Sequence, residues 1–135
     1  METSVNNKCK AFTSLEQSKK LADFLPLESA DMCYRIVAYN PNNTHVYQPY
    51  CFVGTLSNDI PCWSLAALYS ILPNNKKETT TLSRGGWKIE PVEYLDNWWC
   101  EYEDENHTKD FTVSADNPVD ACVEMINKLH EQKLL

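Results

Sequence analysis

The chain has 135 residues, of which 43% are hydrophobic, and its 19 Asp or Glu against 12 Lys or Arg give a formal net charge of −7. That length suits one domain burying roughly two-thirds of the surface its unfolded chain exposes. No run approaches the ~18 apolar residues of a membrane span, and residues 1–8 contain no apolar stretch of a secretory signal, so a cytoplasmic protein is expected. The charge is uneven. Residues 1–89 carry 9 Lys or Arg against 7 Asp or Glu, whereas residues 90–135 carry 3 against 12. Non-specific nucleic-acid binding rests on cationic side chains displacing counterions from phosphates, so the C-terminal part argues against direct nucleic-acid binding.

Residues 1–12 read as a flexible N-terminal segment and 13–135 as a single domain. Thr13 with Glu16, or Ser14 with Gln17, can form a capping box. Leu15, Leu21, Ala22, Phe24 and Leu25 then supply an apolar helix face that Pro26 ends. Residues 32–39, β-branched and aromatic around Arg35, predict a strand followed by a turn at 40–43. Residues 46–53 return as a second strand, and Pro49 asks for an edge position or a bulge. Residues 61–72 are almost continuously hydrophobic and close at Pro73, which predicts a buried helix. A polar loop over 74–81 enters a short strand near 79–82. Ser83, Arg84, Gly85 and Gly86 predict a turn, and 87–94 another strand despite Pro91.

The clearest signals lie in residues 97–135. Residues 98–103 and 110–114 alternate at period two around a polar turn at 104–107, which predicts an antiparallel hairpin. Asn117 can cap a helix that Pro118 opens, and Asp120 adds charge favoured by the helix dipole. Val119, Cys122, Val123, Ile126, Leu129 and His130 form one stripe of that helix, with Glu124, Asn127, Lys128 and Glu131 turned to water. Helix, strands, helix, strands, helix in succession predict an α+β fold: a mostly antiparallel sheet with about three helices on one face, ending in a β-β-α unit.

The six cysteines, at positions 9, 33, 51, 62, 100 and 122, never stand at C-x₂₋₄-C spacing, so no metal or cofactor site is expected, and Cys33, Cys100 and Cys122, inside predicted elements, read as small buried hydrophobes. His45, His107 and His130 give no pairing with a nucleophile that the sequence can place, and no catalytic residue is assigned. Glu101 and Glu103 share one face of a strand, most simply its solvent side. Trp98 and Trp99 point to opposite faces, so one of them lies either under another element or exposed as an interface anchor, with Tyr94 and Tyr102 nearby. The expected partner-binding set is Trp98, Trp99, Glu101, Tyr102, Glu103, Asp104 and Glu105, facing a protein with a basic surface. The alternative is a small-molecule binder or enzyme with a pocket between sheet and helices, drawing on Cys62, Arg84, Gly85, Gly86 and Trp87. There the glycines would allow an anion to approach the backbone, although a hairpin turn is the plainer reading of Gly-Gly.

At residues 13–21 (TSLEQSKKL), 27–32 (LESADM), 63–68 (WSLAAL) and 115–121 (ADNPVDA) the chain resembles a group of small uncharacterised proteins of gut bacteria and their mobile elements and phages. The resemblance covers most of the chain from Thr13 onward. It implies one intracellular domain and carries no activity or catalytic residue. A modulator of host machinery, including one whose carboxylates stand in for nucleic-acid phosphates, would suit that setting.

Overall fold

The structure, a computed structural model, describes residues 10–89 and 93–135, and their side chains except at 86–89 and 93–96. Among the described residues it is α+β, with three α-helices and two antiparallel three-stranded sheets in place of the one sheet expected. The chain divides into two compact units, Ala11–Ala67, and Leu68–Leu135 together with Lys10. No helix among the described residues is long and apolar enough to cross a membrane.

In the unit Ala11–Ala67, helix α1 (Leu15–Leu21) starts on the second of the two capping boxes. Ser14 Oγ accepts the Gln17 N–H at 3.1 Å, and Gln17 Oε1 accepts the Ser14 N–H at 2.9 Å. Thr13 is thereby left for the core, where it is fully buried. Its N–H donates to the Trp63 carbonyl at 2.9 Å, its Oγ1 accepts the Trp63 N–H at 3.1 Å, and its carbonyl accepts the Tyr34 hydroxyl at 2.8 Å. Residues 10–12, read from sequence with the flexible segment, are held as well: Phe12 bridges to Ser64, and the Leu65 N–H donates to the Ala11 carbonyl. Strands β1 (Met32–Tyr39), β2 (His45–Tyr50) and β3 (Ile60–Cys62) form a sheet in the order β2-β1-β3. Met32, Tyr34 and Cys62 make its core, with Phe12, Leu15, Tyr47 and Ile60 packed around them.

Two prolines explain the register. Pro61 lies opposite Cys33 and Pro49 opposite Tyr34. Antiparallel pairs alternate between hydrogen-bonded and non-bonded positions, and a proline fits only where its missing N–H is not needed. Cys33 therefore bonds toward β2 and Tyr34 toward β3, which leaves each proline facing the outer edge of its own strand. Pro49 does occupy an edge strand, as the sequence required.

The run 61–72 is not one helix. Ile60–Cys62 is strand β3, and helix α2 covers only Leu65–Ile71. Ser64 Oγ accepts the Ala67 N–H at 3.2 Å, an N-cap within the apolar run, while the Ser64 N–H is held by Asp31 at 3.0 Å. Hydrophobicity alone does not show that break, because the groups that enforce it, Asp31 and Thr13, are remote in sequence.

In the second unit, β4 (Glu78–Ile89), β5 (Glu93–Asp104) and β6 (Phe111–Ala115) form a sheet in the order β4-β5-β6. The β4 and β5 ladder runs without a shift from Glu78↔Asp104 to Ile89↔Glu93. Ser83, Arg84, Gly85 and Gly86 are therefore not a turn; they lie mid-strand, opposite Trp99, Trp98, Asn97 and Asp96. A strand partner along the whole length of β4 outweighs the local turn preference of two glycines. Pro91 falls outside the described residues. Asn75 starts β4 by accepting the N–H groups of Lys77 and Glu78 at 2.8 and 3.0 Å. The predicted β5–β6 hairpin is present, and Asp104 ties its turn through the N–H of Thr108 at 2.8 Å and through the Thr108 hydroxyl.

Helix α3 (Pro118–Glu131) packs on β5 and β6. Buried Asn117 accepts the Asp120 N–H at 2.8 Å and donates to the Asp120 carboxylate at 2.9 Å, and Lys10 Nζ reaches the other oxygen of that carboxylate at 2.8 Å. The buried stripe is Val119, Cys122, Val123, Ile126 and Leu129, broadened by Ala121 and Met125, while His130 is exposed rather than part of it. Removing the cap by Asn117→Ala is expected to lower stability by about 1–2 kcal/mol, and Asn117→Ser, which keeps an acceptor, by less. Leu129→Ala is expected to cost ~2–5 kcal/mol. Urea unfolding followed by helix circular dichroism checks all three, and equal losses for the two Asn117 variants would contradict the capping role.

Candidate functional site

Successive residues of β5 face opposite sides. Trp98, Cys100 and Tyr102 lie on the side that α3 covers, and Trp99, Glu101 and Glu103 on the other. Burial follows that division: Cys100 and Tyr102 are 0% and 1% exposed, whereas Glu101 and Glu103 are exposed and both tryptophans are half-buried. Tyr102 stacks on Phe111 with ring centroids 5.9 Å apart and donates its hydroxyl to Glu78 Oε2 at 2.6 Å. Burial, and then the Glu78 carboxylate, push its phenol above the ordinary tyrosine range. Tyr102, in the expected partner-binding set, is buried and faces the side opposite Glu101 and Glu103.

The outer face is a row of acids between two rows of hydroxyls. Glu103 and Glu101 lie opposite Thr79 and Thr81 on β4, Glu101 also opposite Thr112 on β6, and Trp99 between Ser83 and Ser114. The short hydroxyl side chains leave the carboxylates standing proud of the sheet. The Trp99 indole N–H is shielded and meets no acceptor among the described residues. Asp104 is drawn into the turn, where the Thr108 hydroxyl, and then backbone N–H groups, hold its carboxyl below the usual range. Glu105 is exposed, and its N–H donates to the Lys77 carbonyl at 2.8 Å. A shallow cavity of about 380 Å³ beside this turn is lined by Tyr102, Asp104 and Glu105 with Lys77, Glu78 and Lys109 among others.

The alternative set falls on different elements. Cys62 is buried in β3 beside Thr13, and burial pushes its thiol up. Arg84 is exposed and Gly85 half-buried on β4, and the side-chain positions of Gly86 and Trp87, like that of Tyr94, lie outside the described residues. Cys100 and Cys122 meet in the core. The hydrogen bond between them, and then burial, raise the Cys122 thiol far above its ordinary range. His107 lies 3.5 Å from both Glu103 and Asp110, His45 packs edge-on to Tyr39 and Tyr47, and no group of three or more His, Cys, Asp or Glu among the described residues could hold a metal ion.

A second feature joins residues remote in sequence. Arg35 donates through Nε and Nη2 to the two oxygens of Asp59 at 2.9 and 2.8 Å, and Asp59 also accepts the Leu56 N–H at 3.0 Å. The guanidinium holds the Asp59 carboxyl below its usual range. Beside this clamp, residues 35–39 of β1 and residues 56–59 line a groove of about 370 Å³. The local signal was Gly54 ahead of a polar turn, but nothing near it named Arg35 as the partner.

Compared with known proteins, the chain matches no family model, no curated protein and no solved structure.

Burial lifts Tyr34 to about 12, with Cys62 adding to the shift. A phenol whose folded value is raised contributes stability that is complete below its unfolded value of 10.0 and is lost as pH rises toward the folded one. Stability is therefore expected to fall between pH 10 and about pH 12, and less steeply in Tyr34→Phe. Denaturation midpoints across that range check this, and a slope unchanged by the substitution would contradict it.

Proposed function

We propose that this chain is a non-enzymatic protein-interaction module, acting in the cytoplasm, that presents the outer face of β4–β5–β6 to a protein with a basic surface. The observation that carries the reading is the exposed pair Glu101 and Glu103, in line with half-buried Trp99 and set between rows of Thr and Ser. Lys or Arg of a partner can reach both carboxylates at once, since same-face residues of a strand lie about 7 Å apart. Exposed ion pairs contribute only ~0–1 kcal/mol each. The acids thus steer and orient the partner, and closure over Trp99 and the hydroxyl rows supplies the desolvated centre of the contact.

The concentration of negative charge in residues 90–135 favours a protein over a nucleic acid as that partner, because phosphates would be repelled. The resemblance to proteins of mobile elements and phages makes a modulator of host machinery the setting in which we place it.

The test is affinity capture with tagged chain, identification of the captured protein by mass spectrometry, and titration of that protein at several salt concentrations. Glu101→Gln with Glu103→Gln is expected to weaken binding roughly tenfold and flatten its salt dependence, with thermal unfolding unchanged. Binding that is indifferent to both salt and the double substitution would overturn the proposal.

A further inference from the structure

Strand β1 runs from Met32 to Tyr39, but β3 pairs only with Met32, Cys33 and Tyr34. From Arg35 onward the side of β1 turned away from β2 has no strand beside it among the described residues. The proline register fixes what is exposed there. Since Tyr34 bonds toward β3, Ile36, two residues on, presents its backbone N–H and C=O to that same side. The other edges of the sheet are guarded: Pro49 turns its missing N–H to the outer side of β2, and Pro61 does so on β3. The stretch at Ile36 has no such guard.

The groove of about 370 Å³ runs along this open stretch. Its far wall, residues 56–59, is fixed in place. Asp59, its side chain only 5% exposed, is gripped by Arg35 and by the Leu56 N–H, and Gly54 packs so closely that a Cβ there would stand 2.4 Å from Asp59 Oδ2. The wall is held beside the edge of β1 without pairing to it. Around the groove, Val37, Tyr39 and Leu56 are 45%, 65% and 57% exposed, and the two charges lining it, Arg35 and Asp59, neutralise each other.

We infer that this groove accepts one extended peptide segment of a partner protein, uncharged and carrying branched apolar side chains, which adds to β1 in line with β3. An unpaired strand edge is complementary to the backbone of another extended chain, and flanking apolar side chains select what that chain carries. A strand beside β1 would sit about 4.8 Å away. The occupant is a single strand rather than a second copy of this chain, because a second β1 would bring its own β2 against the fixed wall. The register irregularity between Ile36 and Ala38 keeps the paired stretch short. This site is on a different sheet from the acidic face and does not depend on it.

The test uses the full chain labelled with ¹⁵N and a capped Ser-Thr-Val-Thr-Val-Thr-Ser heptapeptide as probe. In the free chain the Ile36 amide is expected to exchange rapidly with solvent. Added peptide is expected to slow that exchange and to shift amides at 35–39 and 56–59. An analogue N-methylated throughout, which has no backbone N–H to donate to the Ile36 carbonyl and cannot complete the ladder, is expected to bind more than tenfold more weakly. Leu56→Asp, which puts a charge on the exposed wall, is expected to weaken binding similarly while leaving the spectrum of the rest of the chain unchanged. An Ile36 amide already protected in the free chain, shifts outside these two segments, no saturable binding, or equal binding of the N-methylated analogue would overturn the inference. So would the same amides shifting on simple dilution of the chain, which would assign the edge to a second copy.

Discussion

The alternation along β5 is the constraint on which the second unit depends. Each step along the strand reverses the side chain, so Cys100 and Tyr102 can lie beneath α3 only if Glu101 and Glu103 face away from it. A slip of one residue would carry two carboxylates into the core and two apolar groups into water, and burying an unpaired carboxylate is too costly for the fold to tolerate. Register is therefore strongly specified. The long unshifted ladder with β4, the Tyr102–Glu78 hydrogen bond and the fit of Cys122 against Cys100 all agree with it. The acidic outer face is thus a consequence of how the core is sealed, as much as a feature of the surface.

In the unit Ala11–Ala67 the corresponding role falls to backbone groups. Thr13 satisfies both backbone groups of Trp63 and the hydroxyl of Tyr34 from a fully buried position, which joins the start of α1 to the end of β3. The two prolines then settle which side of each strand can bond. The same restriction that protects the outer edges of β2 and β3 leaves the edge of β1 beyond Tyr34 open, because β3 is short and residues 56–59, tied to β1 through the Arg35–Asp59 clamp, do not pair with it.

Local signals were the legible ones. The capping residues Ser14 and Gln17, strand β1, the β5–β6 hairpin and the Asn117-Pro118 helix entry each depend on residues within a few positions of one another, and the structure has all of them. Sequence and structure differ where remote partners decide. Ile60–Cys62 is a strand because β1 lies beside it, and Gly85 and Gly86 are extended because Asn97 and Asp96 oppose them. On the acidic face, the outward direction of Glu101 and Glu103 followed from period two alone. The same alternation turns Tyr102 to the opposite side, and only its sealing there by α3 was beyond local reading, since residues remote in sequence decide which side a helix covers. The groove was not legible at all, because the Arg35–Asp59 pair spans 24 residues of sequence.

The two-sidedness of β5 is tested most directly by thiol accessibility along the strand. Glu101→Cys and Glu103→Cys, made singly, should be alkylated in the folded chain as fast as a free thiol, whereas native Cys100 should react only as fast as the chain unfolds, with peptide mapping to separate it from exposed Cys51. Rapid labelling of Cys100 in the native state, or protection of either introduced cysteine, would mean that β5 does not divide core from surface as described.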